Sequence, residues 1–329
     1  MYKKYLRPIA LIGGLLLLVT GCAYPAKLAH FQNNKSVQPF TYHFADGGNA
    51  QYFYLKKNIT STRKSPTEPI TYVFVVGGSD CTSFAHFLPQ YFRGLEGESG
   101  DIHLYMLQKR FISEHTWGRS FGCSKQFVQA DYPEQWIADQ LEFIQQQLTV
   151  LQKSSNRRVV LLGISEGGEI APILARRIPQ TTHLVILANG GLDPLDAYSL
   201  QRTKMGLAPS DKLRKLLDAP ELGARKNTGL ILGRTATYWL QVNNIQQIEN
   251  LLLLKIPILM AMGIDDSVVP IESAWYAQEQ FEKQGNKNLS VLTYPNADHS
   301  LSSKSVNFLP DFFHKMDVWL GVSSSTIFE

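Results

Sequence analysis

Charged residues are scarce in this chain of 329 residues, of which Asp, Glu, Lys and Arg make up 18%. An average soluble domain contains about 25%. The formal net charge is +4, and three of the positive charges fall in the first seven residues, which contain no acid. The rest of the chain therefore carries +1. A body so close to neutral gives no electrostatic reason to expect a nucleic acid or another charged polymer as a partner.

Clusters of metal ligands are also lacking. The eight histidines form no His-x-x-x-His pair, and Cys81 and Cys123 are too far apart in sequence for a short metal-binding motif. The sequence therefore predicts neither a metal site nor a cofactor.

The apolar run near the N-terminus, Ile9–Val19, is too short to anchor the chain, since a membrane-spanning helix needs about 20 residues. It follows three basic residues, which is the order of charge and hydrophobicity in a secretory signal. The run ends in Val19-Thr20-Gly21-Cys22, which resembles the lipobox of bacterial lipoproteins. The alternative is an ordinary signal peptide that happens to end near a cysteine.

The resemblance to lipoproteins implies a signal over residues 1–21 and a lipid-modified Cys22 that holds the protein to a membrane by its acyl chains. Residues 22–38 are then a tether. Because Ala23 rather than Asp follows the cysteine, the resemblance implies a cell-envelope location at the outer membrane, facing the periplasm. In that oxidising compartment Cys81 and Cys123 are expected to form a disulfide, with two free thiols as the alternative.

Strands and helices alternate through the rest of the chain, which predicts an α/β fold with a mainly parallel sheet covered by helices on both faces. The domain is expected over residues 39–320, with a tail at 321–329. Residues 191–255 interrupt the alternation and predict a helical cap, or else surface helices with no role in the pocket. The predicted strands cover residues 39–44, 51–55, 70–76, 102–107, 159–162, 184–187, 256–262 and 289–294, and the predicted helices cover 131–151, 166–178, 272–283 and 309–320.

Ser165 is the candidate nucleophile. It lies in Gly163-Ile164-Ser165-Glu166-Gly167, a G-x-S-x-G motif between a predicted strand and a predicted helix. Small neighbours allow the sharp turn that raises the hydroxyl above the sheet and points a helix N-terminus at it. Pro172 fits this helix poorly, because its missing N–H should distort the second turn.

A serine hydroxyl needs a base, and His299 is the best candidate because it lies in a short polar loop just after a strand. His86 and His115, in loops or at loop edges, remain open. The third group should be a carboxylate at a strand end, and Asp266 fits that place, with Asp265 as the alternative.

The chain has a serine at a sharp strand-to-helix turn (the serine elbow), then an Asp at the end of a later strand, and then a His near the end of the domain. This order resembles that of the α/β-hydrolase superfamily. The resemblance implies hydrolysis of an ester, thioester or amide in an acyl substrate through an acyl-enzyme, or acyl transfer to another acceptor. It also implies an oxyanion hole built from the backbone N–H of Glu166 and that of Gly78 or Ser79. The alternative is a non-catalytic cell-envelope lipoprotein that keeps the fold for binding.

Overall fold

The computed structural model describes residues 37–57, 69–118, 122–151, 156–219 and 229–321. The predicted signal, Cys22, most of the tether and all but the first residue of the predicted tail lie outside these ranges. None of the helices in the described ranges is long and apolar enough to cross a membrane.

Eight strands form one sheet in the order β1-β2-β4-β3-β5-β6-β7-β8. The first two pairings, β1 with β2 and β2 with β4, are antiparallel and all others are parallel. This order confirms the predicted α/β-hydrolase fold, and each strand end lies within two residues of its predicted position. The strands are β1 Phe40–His43, β2 Asn49–Lys57, β3 Ile70–Val76, β4 Ile102–Leu107, β5 Arg157–Ile164, β6 His183–Leu187, β7 Ile258–Gly263 and β8 Leu289–Tyr294.

The central strands are apolar on both faces because each face is covered. In β3, Phe74 belongs to the core on one face of the sheet and Val73 and Val75 belong to the core on the other. This pattern of continuous hydrophobicity is typical of a parallel sheet buried between two layers. The β3 register sets Val73 beside Leu104 of β4 and Val160 of β5, which are also fully buried.

Helices cover both faces, as predicted. In chain order they are α1 Lys125–Ala130, α2 Pro133–Val150, α3 Gly167–Arg177, α4 Pro194–Lys204, α5 Asp211–Leu217, α6 Ala236–Val242, α7 Gln247–Leu252, α8 Glu272–Lys283 and α9 Leu309–Gly321. Helices α2, α3, α7 and α8 contribute side chains to one core, and α9 contributes to the core on the opposite face together with a short 3-10 helix, Gln90–Phe92.

The predicted insertion contains α4 to α7 and joins β6 to β7. Most of it has a small core of its own, in which Trp239 packs with Leu195 and Leu213. Its last part differs, because Leu251 of α7 is fully buried in the main core. The insertion is therefore a small helical layer whose C-terminal end packs into the main core of the domain.

Pro172 lies inside α3, yet the helix continues to Arg177. A residue at position 172 would normally donate its N–H to the carbonyl of Gly168, four residues earlier, and proline has no N–H to give. The buried side chain of Gln247 supplies the missing donor, since its Nε2 lies 2.8 Å from the Gly168 oxygen. A side chain from α7 thus replaces the hydrogen bond whose loss was expected to distort this helix.

Asp131, the first residue of the predicted helix 131–151, lies outside α2, because Tyr132 occupies the N-cap position. The Asp131 carboxylate instead binds Lys109, at 2.7 Å from its Nζ. The helix still begins at Pro133, where the absence of a backbone N–H costs nothing.

Candidate active site

Ser165 occupies a tight turn between β5 and α3. Its φ of 54° lies in the left-handed region, which is unfavourable for a residue with a side chain. The turn is held because the Ser165 N–H donates to the Leu187 carbonyl of β6 at 2.8 Å, and the Ser165 carbonyl accepts from Gly168 N–H at 2.7 Å.

Two glycines of the motif are required by close packing. A Cβ on Gly163 would collide with the backbone of Gly167, and a Cβ on Gly167 would collide with the carbonyls of Val76 and Gly77. The start of α3 therefore lies directly against the end of β3. This contact brings the N-terminus of the helix, with its partial positive charge, beside the Ser165 hydroxyl.

His299 lies in the loop that follows β8, and its Nε2 is 2.9 Å from Ser165 Oγ. The preceding residue stabilises this loop, since Asp298 Oδ1 accepts hydrogen bonds from the backbone N–H groups of Ser300 and Ser302 at 2.9 and 3.1 Å. The imidazole is thus presented by a short, internally bonded loop. Such a loop fixes the ring while leaving Nε2 directed at the serine.

Asp266 lies just beyond β7, and its Oδ2 is 2.7 Å from His299 Nδ1. The carboxylate is fully buried, and its other oxygen accepts from the N–H groups of Val268 and Val269 at 2.7 and 2.9 Å. With Nδ1 donating to Asp266, Nε2 carries the lone pair that can accept the Ser165 proton. Asp265, the alternative, is exposed.

The loop after β3 brings Gly78 and Ser79 to the same place. A Cβ on Gly78 would lie 3.4 Å from Ser165 Cβ and 3.9 Å from its Oγ, which is ordinary contact distance. Both residues line the cavity that contains Ser165 and His299. The disulfide between Cys81 and Cys123 ties the continuation of this loop to the segment before α1.

The cavity above Ser165 holds about 920 Å³ of space, part of it open to solvent. Most of the exposed surface of its wall is apolar, and the polar side chains on it include Asp80 and Lys109. Among the described residues, none from the insertion lines the cavity. The insertion was predicted to form a cap over the pocket, but its described residues do not contact this cavity. The apolar lining comprises Phe84, Phe87, Tyr91, Leu107, Ile112, Trp136, Ile164, Leu187, Ala188 and Leu309.

Lys109 is a feature of the site that the sequence interpretation missed. It follows the apolar end of β4, at the edge of the sheet where the catalytic candidates gather, and this position was the only sequence signal. Its ammonium lies 2.7 Å from Asp131 and 3.0 Å from Glu166 and 3.8 Å from the centre of the Trp136 ring. Burial lowers the pKa of Lys109 to about 8.

The two remaining histidine candidates lie away from Ser165. His86 binds the Thr116 carbonyl through Nε2 at 3.0 Å and packs edge-on against Trp117. The His115 side chain is 89% exposed, and its Nε2 lies 3.6 Å from Oε1 of the neighbouring Glu114. Within the described ranges, no group of three His, Cys, Asp or Glu side chains is placed to hold a metal ion.

A family model described as BAAT / Acyl-CoA thioester hydrolase C terminal matches residues 138–314, which include all three of Ser165, Asp266 and His299. No curated protein matches the chain.

Solved structures share the fold at low sequence identity. The esterase Est1E of Butyrivibrio proteoclasticus, bound to ferulic acid, is 16% identical with a TM-score of 0.55, over 84% of this chain and 98% of the esterase. The esterase domain of a Rhodothermus marinus protein is 14% identical with a TM-score of 0.52, over 86% of this chain and 97% of that domain. An acylaminoacyl peptidase of Pyrococcus horikoshii is 13% identical with a TM-score of 0.53, over 89% of this chain and 42% of the peptidase.

Glu169 provides a test of the electrostatics behind the elbow. It lies in the first turn of α3, and Asn189 connects it to the elbow, donating to Glu169 Oε1 at 3.4 Å and to the Ser165 carbonyl at 2.8 Å. Burial, together with the charge of Glu166, raises the pKa of Glu169 to about 8. A carboxyl whose pKa is raised on folding costs stability as pH rises between its unfolded value, about 4.3, and its folded value.

We therefore expect Glu169→Gln to raise the melting temperature over wild type at pH 8 and to change it little at pH 5. Thermal unfolding followed by circular dichroism at both pH values measures the difference. Glu272→Gln is the matched control, because Glu272 lies in the first turn of α8 as one half of an exposed ion pair with Lys204. An equal gain for both variants, or a Glu169→Gln gain confined to pH 5, would contradict the expectation.

Proposed function

Since this chain belongs to the family described as BAAT / Acyl-CoA thioester hydrolase C terminal, we propose that it is a serine hydrolase that works through an acyl-enzyme. Ser165 is the nucleophile, His299 the general base and Asp266 the group that orients His299. One observation carries the proposal: an unbroken chain of hydrogen bonds runs from Ser165 Oγ through His299 to Asp266, at 2.9 and 2.7 Å.

The reaction follows from that chain. Ser165 Oγ attacks the substrate carbonyl carbon while His299 Nε2 takes the hydroxyl proton, and buried Asp266 stabilises the imidazolium that forms. The carbonyl oxygen becomes an oxyanion, which the N–H of Glu166 and that of Gly78 or Ser79 stabilise. When the tetrahedral intermediate collapses, the bond to the leaving group breaks and His299 returns the proton to that group. Water then repeats the sequence on the acyl-enzyme and releases the acid.

The acyl part of the substrate is apolar. Most of the surface of the cavity wall belongs to aromatic and aliphatic side chains, and an apolar acyl group that binds there gains free energy because apolar surface is removed from water. An ester or thioester of an aliphatic or aromatic acid therefore fits the site better than a charged acyl group. The thioester hydrolases in the family description and the ferulic acid bound to Est1E agree with this class.

Replacing Ser165 tests the nucleophile. We expect a fluorophosphonate probe to label the soluble body, from Ala23 onward, and Ser165→Ala to abolish both this labelling and the turnover of p-nitrophenyl butyrate. Ser267→Ala is the control, because Ser267 is exposed and adjacent to Asp266; it should be labelled like wild type. A folded wild-type protein that stays unlabelled would instead favour the non-catalytic, ligand-binding alternative.

The adjacent carboxylates give a second test. Asp266→Asn removes the charge that selects the His299 tautomer, so we expect kcat to fall roughly 10³- to 10⁴-fold at neutral pH. Asp265→Asn makes the same chemical change at the exposed neighbour and should leave kcat within about twofold, as for other surface changes. Steady-state kinetics on p-nitrophenyl butyrate compares the two. Equal losses in both variants would refute the assignment of Asp266.

We further propose that the protein is held to the cell envelope by lipid on Cys22, and this rests on the lipobox-like sequence alone. In bacteria grown with labelled palmitate, the full chain should take up label and Cys22→Ser should not. The Ser165→Ala protein is the control, because label that it lost would be an acyl-enzyme rather than an anchor. An unmodified Cys22 in the purified full chain would overturn the anchor.

A further inference from the structure

We infer that Arg234 and Tyr238 of the insertion are positioning residues that hold both sides of the oxyanion hole. The inference rests on the proposed function, because it presupposes that Ser79 and Glu166 flank the oxyanion. It gives the insertion a role other than covering the pocket.

Arg234 contacts the loop after β3. One guanidinium nitrogen donates to the Ser79 carbonyl at 2.5 Å, and the other forms an ion pair with Asp131. Such a charge-assisted bond is strong, and it holds the Ser79–Asp80 peptide, which adjoins the peptide that carries the Ser79 N–H. The Ser79 backbone is thereby held by a side chain of the insertion that lies 155 residues later in the chain.

Tyr238 contacts the other loop. Its hydroxyl donates to Glu166 Oε1 at 2.5 Å, while Lys109 binds Glu166 Oε2 at 3.0 Å. Both carboxylate oxygens of Glu166 are thus engaged, so the residue immediately after the nucleophile is fixed at its side chain as well as its backbone. Burial, with the charge of Glu166 next in effect, raises the pKa of Tyr238, which keeps the hydroxyl protonated as a donor.

These contacts close into a ring. Arg234 binds Asp131, Asp131 binds Lys109, Lys109 binds Glu166, Glu166 binds Tyr238, and the Arg234 guanidinium lies 4.7 Å from the centre of the Tyr238 ring. The four charged side chains are only 2 to 12% exposed, so the interactions are strong and weakly screened by salt.

The charges in the ring balance, with two cations against two anions. The ring therefore brings no net charge to the site. It contacts Ser79 on one side of Ser165 and Glu166 on the other, so we expect it to act by holding these two segments in place. Among the described residues, neither Arg234 nor Tyr238 lines the cavity, so their loss should change the transition state rather than substrate binding.

The test uses Tyr238→Phe and Arg234→Gln in the full chain, with p-nitrophenyl butyrate as substrate and phenylboronic acid as a mimic of the tetrahedral intermediate. We expect kcat to fall about tenfold or more in each variant, somewhat less than the loss from removing a whole oxyanion donor. KM should stay within about twofold, and the Ki of phenylboronic acid should rise in proportion to the fall in kcat. Because the two residues belong to one ring, the double variant should lose less than the product of the single losses.

Arg214→Gln is the matched control, because Arg214 also lies in the insertion and pairs with an acid, Asp196, but at an exposed position. It should match wild type in kcat and Ki. Tyr238→Phe keeps the aromatic side chain and its contacts with Arg234 and Trp239 and removes only the hydroxyl. We therefore expect this variant to fold even if Arg234→Gln does not.

If fluorophosphonate labels the wild-type protein, either of two results with the variants would overturn the inference. One is a lower melting temperature with unchanged kcat, which makes the ring purely structural. The other is a raised KM with unchanged kcat, which makes Arg234 and Tyr238 substrate-binding residues. Failure of the proposed function is distinguishable from both, because the wild-type protein would then not be labelled at all.

Discussion

The close packing of the serine elbow against β3 is the contact on which the whole site depends. Gly163 and Gly167 have no side chains because the backbone of β3 and the first turn of α3 occupy that space. Between these two glycines, Ser165 lies in the left-handed region, a strained conformation that persists only where the surrounding structure fixes it. Hydrogen bonds from the turn to β6 and within α3 provide that fixation.

The parallel sheet then determines which groups can meet at the serine. Strands β5, β7 and β8 all end at the same edge, and Ser165, Asp266 and His299 follow those three strands directly. Because parallel strands end at the same edge of the sheet, residues that are distant in sequence but follow these strands can come within hydrogen-bond reach. Burial of Asp266 is tolerable because the His299 ring and two backbone N–H groups satisfy its oxygens.

The insertion is joined to the elbow in two ways that share one cause. Gln247 replaces the hydrogen bond that Pro172 cannot make, and the ring through Arg234 and Tyr238 secures Ser79 and Glu166. In both cases a segment beside Ser165 carries a polar group that has no partner nearby in sequence. Since a buried polar group without a partner costs about 1–3 kcal/mol, the more distant insertion supplies that partner.

Local sequence order was sufficient for the strands, the main helices and the candidate triad. Alternating strand and helix patterns predict the parallel sheet, the G-x-S-x-G motif identifies Ser165, and a strand end identifies Asp266 and His299. These features are predictable because each depends on residues within a few positions of one another and on the rule that parallel strands end at a common edge. The sequence favours Asp266 but leaves Asp265 open, and the structure separates the two by burying the first carboxylate and exposing the second.

Only the tertiary structure decided how the elbow is supported. Nothing near Lys109 in sequence indicates that it lies between Asp131 and Glu166, and nothing near Arg234 indicates the Ser79 carbonyl. The sequence predicts that Pro172 distorts its helix because proline lacks an N–H. The donor that compensates, Gln247, comes from a different helix, so the local sequence does not reveal it. Contacts of this kind join segments far apart in the chain, so their energy depends on where the fold brings those segments together, and the local sequence carries no record of it.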